Sequence, residues 1–428
     1  MEIDKVRQKK AREYARKRRQ VTFLDMGIVA LSLVIILLTG WDKGIRDLVR
    51  ESTQVGWLAH YLPFLQWQPL AGWYPWQTLL YFLLLIIGYQ LITMPAQVYG
   101  GFVLPRRYGI SIQTLSAWLS DLGKNFVLSL ALEAVAVSLV YALLAVQPQW
   151  WWLWTALVML FFSVVMANLA PVLIFPLFYK FKPLPEGELT ERLMKLAASA
   201  DTRVQGVFTM QMSHKTTATN AVLMGLGNTR RIVLGDTMTD RYSEDEIEVV
   251  LAHELGHHVH RDIWKMIFSQ AVLTLGGLGL ANLALHQAVE GQGRYQALTD
   301  PATLPFLLLL TAFFSLIVMP IGNVYSRHME FQADEYALQI TQKIDAFKSA
   351  MRRLANQNLA DISPSPLIEF LFHSHPSVRR RLQHADDFAE RRYSSLKASL
   401  NMPRRVAVSS TEPPGMVNNG SSTPRSAH

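Results

Sequence analysis

Six stretches of this chain, residues 22–41, 76–97, 126–146, 151–179, 266–288 and 304–325, are apolar over the roughly 20 residues that a helix needs to cross a bilayer. The first is the weakest, because Asp25 interrupts it. In the third, Glu133 is an ionisable group that such a setting turns toward a protein cavity or water. Between Glu51 and Arg106 no charged residue occurs, so the Trp- and Pro-rich stretch at 55–76 fits the membrane interface or a re-entrant element.

The pattern changes over residues 180–265. There "GELTERLMKLAASADT" has the period of an amphipathic helix, whereas "VQGVFTMQMS" and "RRIVLGDTM" read as strands. In "YSEDEIEVVLAHELGHHVHRD" Ser243 and Glu246 form a capping-box pattern, and Ile247, Val250 and Leu251 recur at helical spacing, so this stretch is a helix. From Pro403 onward periodicity disappears into Ser, Pro, Gly and Asn, the composition of a disordered tail.

These patterns predict a mainly α fold, a multi-span transmembrane helical bundle with an α+β polar domain. The expected division is a basic arm (1–20), an N-terminal transmembrane domain of about four spans (21–179), a polar segment (180–265), a transmembrane hairpin (266–325), a second polar segment (326–400) and a disordered tail (401–428).

Composition agrees, with 50% hydrophobic and only 17% charged residues. The absence of cysteine excludes disulfides, a thiolate nucleophile and cysteine-held zinc, so any metal is held by nitrogen and oxygen. The net charge of +8 does not signal nucleic acid, because the arm "KVRQKKAREYARKRRQ" stands directly before an apolar run, as a membrane flank does. That long basic region, with no clear cleavage site after the apolar run, reads as a retained first span rather than a signal peptide. The arm holds nine basic and three acidic residues, and basic loops alternate with balanced ones along the chain. The positive-inside rule then places the arm, residues 180–265 and the C-terminal part in the cytoplasm, in the cell membrane of a bacterium or the endoplasmic reticulum membrane of a eukaryote.

The chemistry is concentrated in "HELGH". On a helix, residues four apart lie on one face, so His253 and His257 converge on one cation while Glu254 beside them works on water. His260 lies about 10 Å along the axis from His253 and His258 points elsewhere, so both are bystanders. The extended zincin pattern fails, since His260 and Ile263 occupy its glycine and final histidine positions. A third ligand therefore comes from a distant segment, and "NVYSRHMEFQADEYAL" offers Glu330, with Asp334 on the same face as a hydrogen-bond partner for a ligand histidine. Glu335 is a rival ligand that falls off that face.

The ordered series "GGFVLPRRYGISIQTLSAWLSDLGKN", "PVLIFPLFYKFKPL", "ATNAVLMGLGNTRRIVLGDTM", "HELGH", "SRHMEFQADEYA" and "SHPSVRRRL" resembles the integral-membrane zinc metallopeptidases of the CAAX prenyl protease family, the a-factor-processing enzymes of gluzincin type. The resemblance implies one zinc ion on His253, His257 and Glu330, Glu254 as general base and Asp334 behind the ligands. It also implies His375 and Arg381 as stabilisers of the tetrahedral intermediate, and Asn220 and Ala221 as the strand on which an extended substrate pairs. Two departures stand out: the family's eukaryotic members are described with seven spans against the six here, and Val222 and Leu223 replace a frequent aromatic after Asn-Ala.

The resemblance implies that the polar segments 180–265 and 326–400 together form a cytoplasmic α+β zincin-type catalytic domain, and the expected activity is a zinc metalloendopeptidase in which activated water attacks a peptide bond. Its partners are a peptide or protein substrate, prenylated or membrane-associated, and the lipid bilayer, with no nucleic acid. The alternatives are a heat-shock-type quality-control metalloprotease with unprenylated substrates, and a catalytically silent zinc-fold receptor or scaffold.

Overall fold

A computed structural model describes residues 4–54, 56, 60–69, 73–225 and 227–400. The expected tail lies outside the described residues. Among the described residues six helices are long and apolar enough to span a membrane: Lys5–Thr39, Pro75–Arg107, Leu115–Val146, Trp151–Leu177, Asp262–Gly291 and Pro301–Thr341. Their apolar windows face outward, none more than 17% buried, which is what a lipid solvent rather than a protein core requires.

The basic arm and the first span form one helix, Lys5–Thr39, started by Asp4, whose side chain accepts from the Val6 and Arg7 amides, and ended by left-handed Gly40. Trp41–Gln54 follows as an amphipathic helix. Glu133, with Gln90, Gln97 and Asn125, lines a cavity of about 240 Å³ between spans.

A four-stranded sheet lies in the polar part, with order β1-β2-β4-β3, where β1 is Lys180–Pro183, β2 Val207–Gln211, β3 Ala221–Met224 and β4 Arg231–Gly235. β2 and β4 pair in parallel, the other pairs antiparallel, and β3 forms an edge. The motif helix, Glu244–Val259, carries the expected capping box and packs Ile247, Leu251 and Leu255 into a core with Leu193, Ile232, Leu234, Leu338 and Phe347. The helix Leu304–Thr341 is unbroken over 38 residues, about 57 Å at 1.5 Å per residue, so it continues for several turns beyond a bilayer core of about 30 Å. Its distal turns pack along the motif helix. Gly256 makes the approach possible, since a Cβ there would stand 2.9 Å from the Ala333 Cα.

Candidate metal centre

The motif helix presents His253 and His257 with ring centroids 4.8 Å apart, and the distal part of Leu304–Thr341 brings Glu330 against both. His253 Nε2 lies 3.3 Å from Glu330 Oε2, and His257 Nε2 lies 3.4 Å from Glu330 Oε1. Two atoms each about 2.1 Å from a tetrahedral cation stand about 3.4 Å apart, so these separations match a shared ion. One ligand atom from each of the three residues falls within 4.8 Å of the others, and Glu330 Oε2 is buried without a hydrogen bond. The donor set of two imidazoles and a carboxylate thus fits a divalent cation of the zinc type.

The other nitrogen of each imidazole is occupied by an aspartate. His253 Nδ1 is 2.9 Å from Asp334 Oδ1, and His257 Nδ1 is 2.9 Å from Asp262 Oδ2. Each pair places a carboxylate on Nδ1, so that an imidazole holding a cation through Nε2 would keep its proton on Nδ1. Asp334 is fully buried and is forked by Arg381 through Nε and Nη2. Asp262 also receives Lys265 Nζ at 2.8 Å. Sequence reasoning missed Asp262 as a partner, because it lies beyond the end of the motif helix; Arg261, at φ 58°, turns the chain so that the next helix starts with Asp262 under His257. Burial and Arg381 push the His253 pKa down, but the neighbouring carboxylates of Asp334 and Glu330 outweigh them and raise it.

Glu254 is half-buried and makes no hydrogen bond or ion pair among the described residues, and burial raises its pKa above the usual glutamate value, partly offset by His253 and His257. It opens into a cleft of about 820 Å³ whose wall also includes Asn220, Ala221, His253, Glu330, His375 and Arg381. His375 stands at the exposed rim with Nδ1 2.9 Å from Glu330 Oε1. Its loop is held from behind: Arg327 Nη1 donates to the carbonyls of Glu369 at 2.8 Å and His373 at 2.5 Å, while Glu369 accepts from the Ser377 amide and Arg380. Asn358 brackets Thr219 through its amide and carbonyl, setting the start of β3. Because the Asn220 carbonyl bonds the Gly235 amide, strand alternation turns the amide and carbonyl of Ala221 toward the open edge. The bystander His260 packs edge-on to Tyr336, and the rival ligand Glu335 pairs with His384 at 2.9 Å.

Comparison with known proteins adds independent findings. A family described as peptidase family M48 matches residues 183–389, and one described as CAAX prenyl protease N-terminal, five membrane helices, matches residues 1–180. Over that N-terminal part the described residues hold four helices long and apolar enough to span. The chain is 28% identical to an uncharacterized metalloprotease of Bacillus subtilis over 88% of its own length and 84% of the relative's. It is 30% identical to a CAAX prenyl protease 1 homolog of Arabidopsis thaliana, over 69% of this chain and 70% of the other. The crystal structure of Ste24p from S. mikatae superposes with a TM-score of 0.75 at 26% identity, covering 90% of this chain and 89% of that one.

Proposed function

The chain belongs to the CAAX prenyl protease family of multi-pass membrane metalloproteases, and from that premise we propose that His253, His257 and Glu330 hold one zinc ion at which Glu254 drives peptide hydrolysis. The observation that carries this reading is the convergence of both Nε2 atoms on Glu330 while aspartates occupy both Nδ1 atoms. When bound, zinc supplies Lewis acidity, polarising the peptide carbonyl and lowering the pKa of water toward neutrality.

Glu254 takes the proton from the attacking water and returns it to the departing amine, its carboxylate opening into the cleft without a hydrogen-bond partner among the described residues. His375, at the rim, donates to the oxyanion that develops on the scissile carbonyl. Asp334 and Asp262 keep the imidazoles in register. Arg381 is a positioning residue through its fork on Asp334, and its Nη1, 3.9 Å from Glu330, adds positive charge at the base of the cleft. The substrate backbone extends along the free edge at Asn220 and Ala221. The heat-shock and silent-receptor readings are not favoured, since the family assignment covers both halves of the chain and the whole ligand set is present.

We assign the catalytic side to the cytoplasm and the substrates to peptides delivered at the membrane, prenylated ones included. The arm supports the first assignment, because its nine basic residues sit at the catalytic end: Arg7 and Gln8 bond the carbonyls of Asn356 and Ala360. Glu254→Gln is expected to retain one zinc per chain by elemental analysis and to lose chelator-sensitive cleavage by at least about a hundredfold. An active, zinc-loaded Glu254→Gln protein would remove Glu254 as the base. Farnesylated and unmodified versions of one peptide, with cut sites mapped by mass spectrometry, test the substrate class; equal rates would point to a general membrane endopeptidase.

A further inference from the structure

The first helix is pinned across the mouth of the catalytic cleft. Arg7 and Gln8 bond the carbonyls of Asn356 and Ala360, the Ile362 amide donates to Gln8, and Ala11 and Tyr14 are buried. Farther along the same helix Arg18, Arg19, Thr22, Phe23 and Met26 line the cleft that His253, Glu254 and Glu330 line from the other side. Neighbouring cations of the arm have partners: Arg12 stands 3.8 Å from Asp361, and Lys17 pairs with Glu13 at 2.9 Å. Arg18 and Arg19 make no side-chain hydrogen bond or ion pair among the described residues. Arg18 is exposed and Arg19 half-buried. Arg19 lies near enough to His373, beside the rim loop, to add to the burial that holds that imidazole below its usual range.

Guanidinium groups without counter-ions that line one cleft raise its potential and bind carboxylates through charge-assisted hydrogen bonds. Beside them the wall is apolar: Phe23 meets Phe372 edge-on with centroids 5.0 Å apart, and Met26 and Met319 complete it. An occupant that satisfies both surfaces has apolar side chains and a nearby anionic group.

Resting on the metal-centre reading above, we propose that Arg18 and Arg19 bind a carboxylate of the peptide substrate, supplied by its free C-terminus or by an acidic side chain. They thereby direct cleavage to apolar segments close to that carboxylate. The first helix is then part of the substrate site as well as a membrane anchor.

The test uses the full chain in phosphatidylcholine nanodiscs and three peptides of otherwise identical sequence: a free acid, a C-terminal amide, and an amide with one terminal residue replaced by Asp. The free acid is expected to exceed the plain amide by about tenfold in kcat/KM, mainly through KM. The Asp peptide separates the two carboxylate sources by whether it recovers that advantage. In Arg18→Gln/Arg19→Gln the ratio falls to near one, while the double Lys replacement restores part of it and Arg16→Gln, exposed on the same helix, keeps it. Zinc content of each variant shows that the metal centre is intact. Equal chelator-sensitive cleavage of all three peptides by the unmodified protein overturns the carboxylate site and leaves the metal centre standing. A preference that appears only when anionic lipid is added also overturns it, assigning the arginines to headgroups. Cleavage that resists chelators counts against the metal centre itself.

Discussion

Two aspartates decide how the imidazoles of His253 and His257 present themselves. Asp334 is on the same helix as Glu330, so one element delivers both a proposed ligand and the orienting partner of another proposed ligand. Asp262 does the same service for His257 from the start of the next helix. Removing an orienting carboxylate typically costs about 10- to 100-fold in metal affinity. Asp262→Ala is therefore expected to weaken zinc binding by that order in a competition titration, with cleavage returning at excess zinc; unchanged affinity would show that Asp262 does not tune His257. Arg381→Lys keeps the charge but loses the fork on Asp334, so the same titration is expected to report weaker binding there too.

Between elements, the crossing of the motif helix and the helix Leu304–Thr341 sets the distance from the two histidines to Glu330. Gly256 sits at that crossing, where any Cβ meets the Ala333 backbone. Gly256→Ala is expected to force the helices apart, at about 1–3 kcal/mol of stability, with a lowered unfolding temperature and reduced zinc content. A second relation of this kind links Arg327 to the rim loop. Arg327→Met frees the carbonyls of Glu369 and His373 and lets His375 drift, so kcat/KM is expected to fall about 10- to 100-fold while zinc content stays at one per chain. Loss of zinc along with activity would make Arg327 a folding residue rather than a positioning one.

For the whole molecule, the spans, the sheet and the arm fit a single topology. The loop between the second and third spans reaches the sheet side: the Ile112 amide donates to the Lys215 carbonyl, and Lys215 pairs with Asp121 at 2.6 Å. The loop joining the hairpin helices, around Gln292, belongs to the other end, where Arg294 bonds the Leu37 carbonyl and approaches Asp42 at the end of the first span. Because the chain has no cysteine, single introduced thiols report topology without background. In intact cells a membrane-impermeant maleimide is expected to label Gln292→Cys, and to label Glu186→Cys only after permeabilisation; the reverse pattern would invert the assigned orientation.

What the sequence determined by itself is what local periodicity encodes. Apolar length marked six spans, the 3.6-residue repeat put His253 beside His257 and Glu330 beside Asp334, and the Ser243–Glu246 box fixed where the motif helix begins. These features depend on residues a few positions apart, so spacing reveals them. β1 escaped notice because four residues, two of them lysine, carry too little alternation to stand out, and the strand exists only through its pairing with β2. The placements that only the tertiary structure decided depend on contacts across long separations. Glu330 reaches the histidines because a membrane hairpin returns it. Asp262 faces His257 because one left-handed residue redirects the chain, and Arg18 and Arg19 line the cleft because the arm is tied to residues 356–362. No periodicity along the chain encodes which faces meet; that is fixed by the packing of helices and sheet against one another.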